Sequence, residues 1–194
     1  NIRPIGCENI RIKNVKIIGC WRYNSDGIDM HNCEHVRISD CFLRNFDDCI
    51  CIKGFDCYYE GDVEAAVQAA MYRNGKAYDV FKNVSVHDCV IWNDWGKCLE
   101  IGAETCAPEY RNIIFRDCDC IHNTAAALRV HHCDRAWVHN LADDDIRVEY
   151  SKYDLGMTYQ HSDDMVYEPY CNQATFMLIC FDGECYYSND FVKG

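Results

Sequence analysis

One short pattern recurs along the chain and limits what it can fold into: apolar-x-apolar-x-polar-apolar. It reads Ile10-Arg11-Ile12-Lys13-Asn14-Val15, then Val36-Arg37-Ile38-Ser39-Asp40-Cys41, Val84-Ser85-Val86-His87-Asp88-Cys89 and Ile113-Ile114-Phe115-Arg116-Asp117-Cys118. A weaker copy is Ala136-Trp137-Val138-His139-Asn140-Leu141. Neighbouring copies stand about 25 residues apart, or about twice that where a coil carries an insertion, which is the spacing of a solenoid. A second short strand precedes the later copies: Ile28-Asp29-Met30, Ile50-Cys51-Ile52, Leu99-Glu100-Ile101 and Leu128-Arg129-Val130. Period-two alternation buries one face of each strand, and the Asn, Asp and Gly between them supply turns. Short strands repeated coil after coil predict an all-β parallel β-helix, one domain over residues 1–194 and part of a longer chain. A β-sandwich would need hairpin signals. The strongest candidate, Asn74-Gly75, follows a run of helix formers and is read as the end of that run.

Two segments interrupt the repeat. Residues 55–80 read as an insertion, with a short helix predicted near 61–73 from Gly61-Asp62-Val63-Glu64-Ala65-Ala66-Val67-Gln68-Ala69-Ala70-Met71-Tyr72. Residues 151–175 read as a long loop, and Phe176–Cys180 as a further strand. A solenoid needs covered ends, which predicts the rest of a longer chain or an oligomer partner over them.

The 16 cysteines follow the repeat. Val15, Cys41, Cys89, Cys118 and Leu141 fall in one column of the alignment. Cys7, Cys33 and Cys133 fall in another, with Phe81 and Tyr110 at equivalent places. Because Val, Leu, Phe and Tyr replace Cys there, the cysteines read as small buried hydrophobes, not as a disulfide framework. The pairs Cys49/Cys51 and Cys118/Cys120 lack a second pair at zinc-site spacing. Buried thiols lean toward a reducing setting. The composition is 49% hydrophobic and 26% charged, which excludes disorder. A net charge of -12 without a basic stripe argues against nucleic acid and anionic membrane partners. No apolar run approaches the roughly 20 residues of a membrane span, and residues 1–10 lack a signal-peptide pattern.

The chemical signal is acidic. Asp26 lies two residues before Ile28 and Asp48 two before Ile50, while Lys97 holds the same place before Leu99. Equivalent positions on successive coils stand about 4.8 Å apart. Asp26 and Asp48, with Asp47 beside them, should therefore crowd one patch, and at least one carboxyl should hold its proton. A protonated acid beside an ionised partner suits glycoside cleavage. The same register puts Asp29, Cys51, Glu100 and Arg129 in one outward column and His31, Lys53, Gly102 and His131 in the next. Lys53, Lys97, Arg129 and His131 then predict a local positive wall suited to a uronic-acid substrate.

Asn24-Ser25-Asp26-Gly27-Ile28-Asp29, followed by Asp47-Asp48-Cys49-Ile50-Cys51-Ile52-Lys53, resembles the polygalacturonase family of glycoside hydrolases, family 28. That family's pattern is N-T-D, then D-D followed by C-I-A-I-K. The resemblance extends over about residues 5–150, following the repeat. It implies a right-handed parallel β-helix and hydrolysis with inversion, a carbohydrate substrate, no cofactor, and a secreted or periplasmic setting. By matching motif position, Asp47 would be the general acid, and Asp26 and Asp48 would activate the attacking water. Asn24, Lys53, Lys97, Glu100, Arg129 and His131 would contact substrate. Two motifs depart: Trp95-Gly96-Lys97 stands where the family has G-H-G, and Arg129-Val130-His131 where it has R-I-K.

Two other readings compete. A pectate-lyase-like enzyme would use calcium held by Asp143-Asp144-Asp145 and the Asp26/Asp47/Asp48 cluster. A non-catalytic glycan-binding coil would stack sugars on Trp21, Trp92, Trp95, Tyr58 and Tyr59.

Overall fold

Short parallel strands wind the chain into a right-handed parallel β-helix. The computed structural model describes residues 1–20, 24–54, 72–73, 76–77, 80–134, 136–150, 161–162, 165–166 and 175–181. The first face stacks β3 (Ile28–His31), β6 (Ile50–Gly54), β11 (Leu99–Thr105), β13 (Ala126–His132) and β17 (Thr175–Phe181), all parallel. The second face stacks β1 (Glu8–Lys13), β4 (Glu34–Ser39), β9 (Val80–His87) and the start of β12 (Glu109–His122) and β14 (Trp137–Val148). The third face holds β2 (Lys16–Cys20), β5 (Phe42–Asn45), β10 (Val90–Asn93) and the far end of β12. Because β12 runs through the corner, the second and third faces join into one eight-stranded sheet.

That corner has a simple chemistry. Asn14, Asp40, Asp88, Asp117 and Asp145 occupy it on successive coils, each with φ between 49° and 56°. Asn and Asp tolerate this left-handed conformation better than other residues with a Cβ. The next residue turns inward, and there Cys41, Cys89 and Cys118 donate their thiols back to the carbonyls of Ser39, His87 and Arg116 at 3.1–3.3 Å. A thiol fits the narrow corner and satisfies a carbonyl, so cysteine recurs there as a packing residue. The thirteen described cysteines are all free. A second left-handed column, Asn9, His35, Asn83, Asn112 and Asn140, runs down the second face. Its side chains form a ladder: Asn112 Nδ2 donates to Asn83 Oδ1 at 2.9 Å and Asn140 Nδ2 donates to Asn112.

The interior holds Ile28, Met30, Ile50, Ile52, Leu99 and Ile101 from the first face. Against them pack Val36, Ile38, Val84, Val86, Ile113 and Phe115 from the second.

Three expectations change. Ile113 pairs with Leu141, Cys118 with Ile146 and Tyr110 with Val138. The final copy of the repeat is therefore Leu141–Ile146, and Leu141 and Cys133 leave the columns assigned to them. Asp143 stands opposite Phe115, and a carboxylate at that apolar position hid the copy. On either side of Asn74-Gly75, which lie outside the described residues, β7 (Tyr72–Arg73) and β8 (Lys76–Ala77) pair antiparallel, where the sequence pattern predicts the end of a helix. Residues 72–73 are strand; residues 61–71, where the rest of the helix was expected, lie outside the described residues. Within 151–175, β15 (His161–Ser162) and β16 (Met165–Val166) pair antiparallel, and the remainder up to residue 174 also lies outside them.

Candidate active site

The site forms where the third face turns into the first. Ile28, Ile50 and Leu99 pair in line, which carries Asp26, Asp48 and Lys97 onto successive coils. Backbone bonds continue through the turn: Gly27 N–H donates to Asp48 O at 2.9 Å, and Cys49 N–H to Lys97 O at 2.9 Å. Buried asparagines brace it from inside. Asn93 Nδ2 donates to the carbonyls of Asp47 at 2.8 Å and Lys97 at 3.2 Å, and Asn45, stacked on Asn93, donates to Ser25 O at 3.3 Å. Gly96 must lack a side chain, since a Cβ there would lie 2.7 Å from Asp47 carbonyl carbon and from Asp48 Oδ1. Such a turn aims three carboxyls at one space.

That space is a cavity of about 340 Å³. Asn24, Asp26, Asp47, Asp48, Lys53, Lys97, Glu100, Arg129 and His131 all line it, together with Trp95, Ala103 and Glu104. Trp95 stacks on Phe46, ring centroids 5.4 Å apart, and makes a rigid wall. Trp92 lies on the third face, stacked on His122, while Trp21, Tyr58 and Tyr59 fall outside the described residues.

The cations are interleaved with acids and do not form the expected positive wall. Lys53 Nζ lies 3.1 Å from Asp26, 3.7 Å from Asp29 and 3.8 Å from Glu104. Lys97 Nζ lies 3.4 Å from Asp48 and 3.7 Å from Glu100, and Arg129 reaches Glu100 at 3.5 Å. Glu104 was missed because the first face bulges between Ile101 and Thr105, so a residue outside the regular columns turns toward Lys53.

The three aspartates differ in acidity. Burial pushes Asp26 up to about 7, helped by Asp29, Asp48 and Asp47 and opposed by Lys53. Burial and Asp48 also raise Asp47, against Lys97 and the Asn24 N–H, which donates to Asp47 Oδ2 at 3.0 Å. Burial alone would raise Asp48 too, but Lys97, a hydrogen bond from Glu100 and Lys53 outweigh it and hold Asp48 below its ordinary value. Lys97 N–H donates to Asp48 Oδ1 at 2.9 Å. Such a split is what acid/base chemistry requires: one carboxyl that keeps its proton beside one that has lost it.

The two acidic clusters of the calcium reading are separate. Asp143, Asp144 and Asp145 lie on β14 in the eight-stranded sheet, while Asp26, Asp47 and Asp48 sit at the mouth of the first face. Among the described residues, Asp48, Cys51 and Glu100 could offer a cation three ligand atoms within 4.8 Å of one another. Two of these carboxyls already face Lys97, and Cys51 donates its thiol to Gly102 O at 2.9 Å, so the donor set suits calcium poorly.

Comparison with known proteins gives two findings. Residues 2–93 match the model of glycosyl hydrolases family 28; Asp26, Asp47 and Asp48 fall inside that match, and Lys97, Glu100, Arg129 and His131 lie beyond it. Over 60 residues the chain is 38% identical to a probable polygalacturonase of Vitis vinifera. That alignment covers 30% of this chain and spans only 12% of the relative's length. No solved structure matches. Over residues 2–93 the chain is thus similar to glycosyl hydrolases family 28, and in that sense it is polygalacturonase-like.

Proposed function

We propose that this protein is a glycoside hydrolase that cleaves a pectic, uronic-acid-containing glycan by inverting acid/base hydrolysis. One observation carries the reading: three aspartates line one cavity, and their acidities are driven apart. Asp47, with its proton retained, gives that proton to the glycosidic oxygen as the bond to the anomeric carbon breaks. Asp48, ionised, takes a proton from the water that attacks the opposite face of the sugar, and Asp26 orients that water. The water oxygen replaces the leaving oxygen, so configuration inverts. Arg129 and Lys97 reach Glu100 only at 3.5 Å and 3.7 Å, beyond a tight hydrogen bond, which leaves donors for a sugar carboxylate.

The test is a reducing-end assay across pectic and other glycans, with and without chelator. Release of reducing ends, unaffected by chelator and lowered about 10²–10⁴-fold in Asp47→Asn, is expected. An unsaturated, ultraviolet-absorbing product that chelator abolishes would instead identify a lyase. Binding without turnover would identify a glycan-binding coil.

A further inference from the structure

We propose that Glu100 is a positioning residue for Asp48: it carries the proton of a shared carboxyl pair and donates it as the hydrogen bond that keeps Asp48 ionised. The inference rests on the reading of Asp48 as the water-activating group. It begins with burial. Glu100 is 1% exposed and Asp48 is 7% exposed, both line the cavity, and an oxygen of one lies within 4.8 Å of an oxygen of the other. Two carboxylates so close in a dry site cannot both ionise, so the pair holds one proton.

Which partner holds it follows from the donors around each. Asp48 accepts the Lys97 N–H at 2.9 Å and has Lys97 Nζ at 3.4 Å. Both Glu100 oxygens are buried with no hydrogen-bond donor in reach. Its basic neighbours Lys97, Arg129 and His131 stand 3.5–3.9 Å away. Charge therefore settles on Asp48 and the proton on Glu100. An approach between two acceptors becomes a hydrogen bond only with that proton between them. The other groups bearing on the pair are Asp26, Asp47, Cys51 and Lys53. The acidities agree: burial and Asp48 raise Glu100 well above its ordinary value, against Lys97 and Arg129.

The experiment is a carbon-13 NMR titration of side-chain carboxyls in the full chain, with Asp48 assigned through Asp48→Asn. The wild-type Glu100 carbon should report a protonated acid at neutral pH. In Glu100→Ala, Asp48 should titrate about one unit higher, a tenfold loss of acidity. Glu100→Gln, whose amide can still donate, should restore most of it. If the Ala variant fails to fold, Glu100→Leu fills the volume without a donor and should show the same rise. Where turnover is present, the acid limb of kcat/KM should move with Asp48 in the Ala variant and stay in place in the Gln variant. A Glu100 that titrates in the ordinary carboxylate range, or an Asp48 indifferent to the loss of Glu100, overturns the proposal. A wild-type protein that cleaves no glycan overturns the hydrolase reading, while the NMR titration still decides this one.

Discussion

Asp26 illustrates what a functional carboxyl costs its fold. It is 5% exposed, and its carboxyl sits at about 7, not at its ordinary 3.8. Burial is the largest cause, and the Lys53 ion pair recovers only part of the loss. Because the folded state binds this proton more tightly than the unfolded chain, the folded state is favoured most below about pH 4, and stability falls as pH rises through about 7. Asp26→Asn removes the titration. At pH 8 that variant should resist urea better than wild type, by about 1–4 kcal/mol, with the gap closing below about pH 4. Urea midpoints at the two pH values measure it. An Asn variant no more stable at pH 8 would mean that Lys53 already offsets the burial.

At the scale of elements, the corners and the ladder on the second face rest on left-handed residues. Asn112 has φ 56° and bridges Asn83 and Asn140. Asn112→Ala should lose the ladder contacts and force a Cβ residue without a polar side chain into this conformation, at about 1–3 kcal/mol. Asn112→Gly loses the same contacts but accepts the backbone. The Gly variant should therefore unfold at the higher denaturant concentration, and equal midpoints would assign the whole effect to the amides. The same reasoning explains the site turn: Asn93 and Asn45 hold its carbonyls from within, and Gly96 leaves room for Asp47 and Asp48.

For the whole molecule, stability comes from stacking apolar columns, with cysteine as one of the column residues. The described cysteines are free, and the corner thiols bond to nearby carbonyls. Heating with and without a thiol reductant should give midpoints within about 2 °C. A large fall under reductant would reveal a covalent link among the cysteines beyond the described residues. On β14 and β17, Leu141, Met177 and Ile179 are apolar side chains at least 36% exposed.

Most of this architecture is legible in sequence because a parallel coil repeats its geometry at each turn. Period-two strands mark the faces, Asn and Asp mark the corners, and an Asp two residues before each of two successive strands marks the mouth of the cavity. Columns such as Asp29, Cys51, Glu100 and Arg129 follow from the register alone. Three features did not. The last coil slipped because Asp143 broke its apolar pattern, Glu104 entered through a bulge, and each cation of the supposed positive wall proved to face a carboxylate. Local pattern determines where a strand lies and which way its side chains point. The partner a charged group finds depends on distances across neighbouring coils, and only the folded chain fixes those.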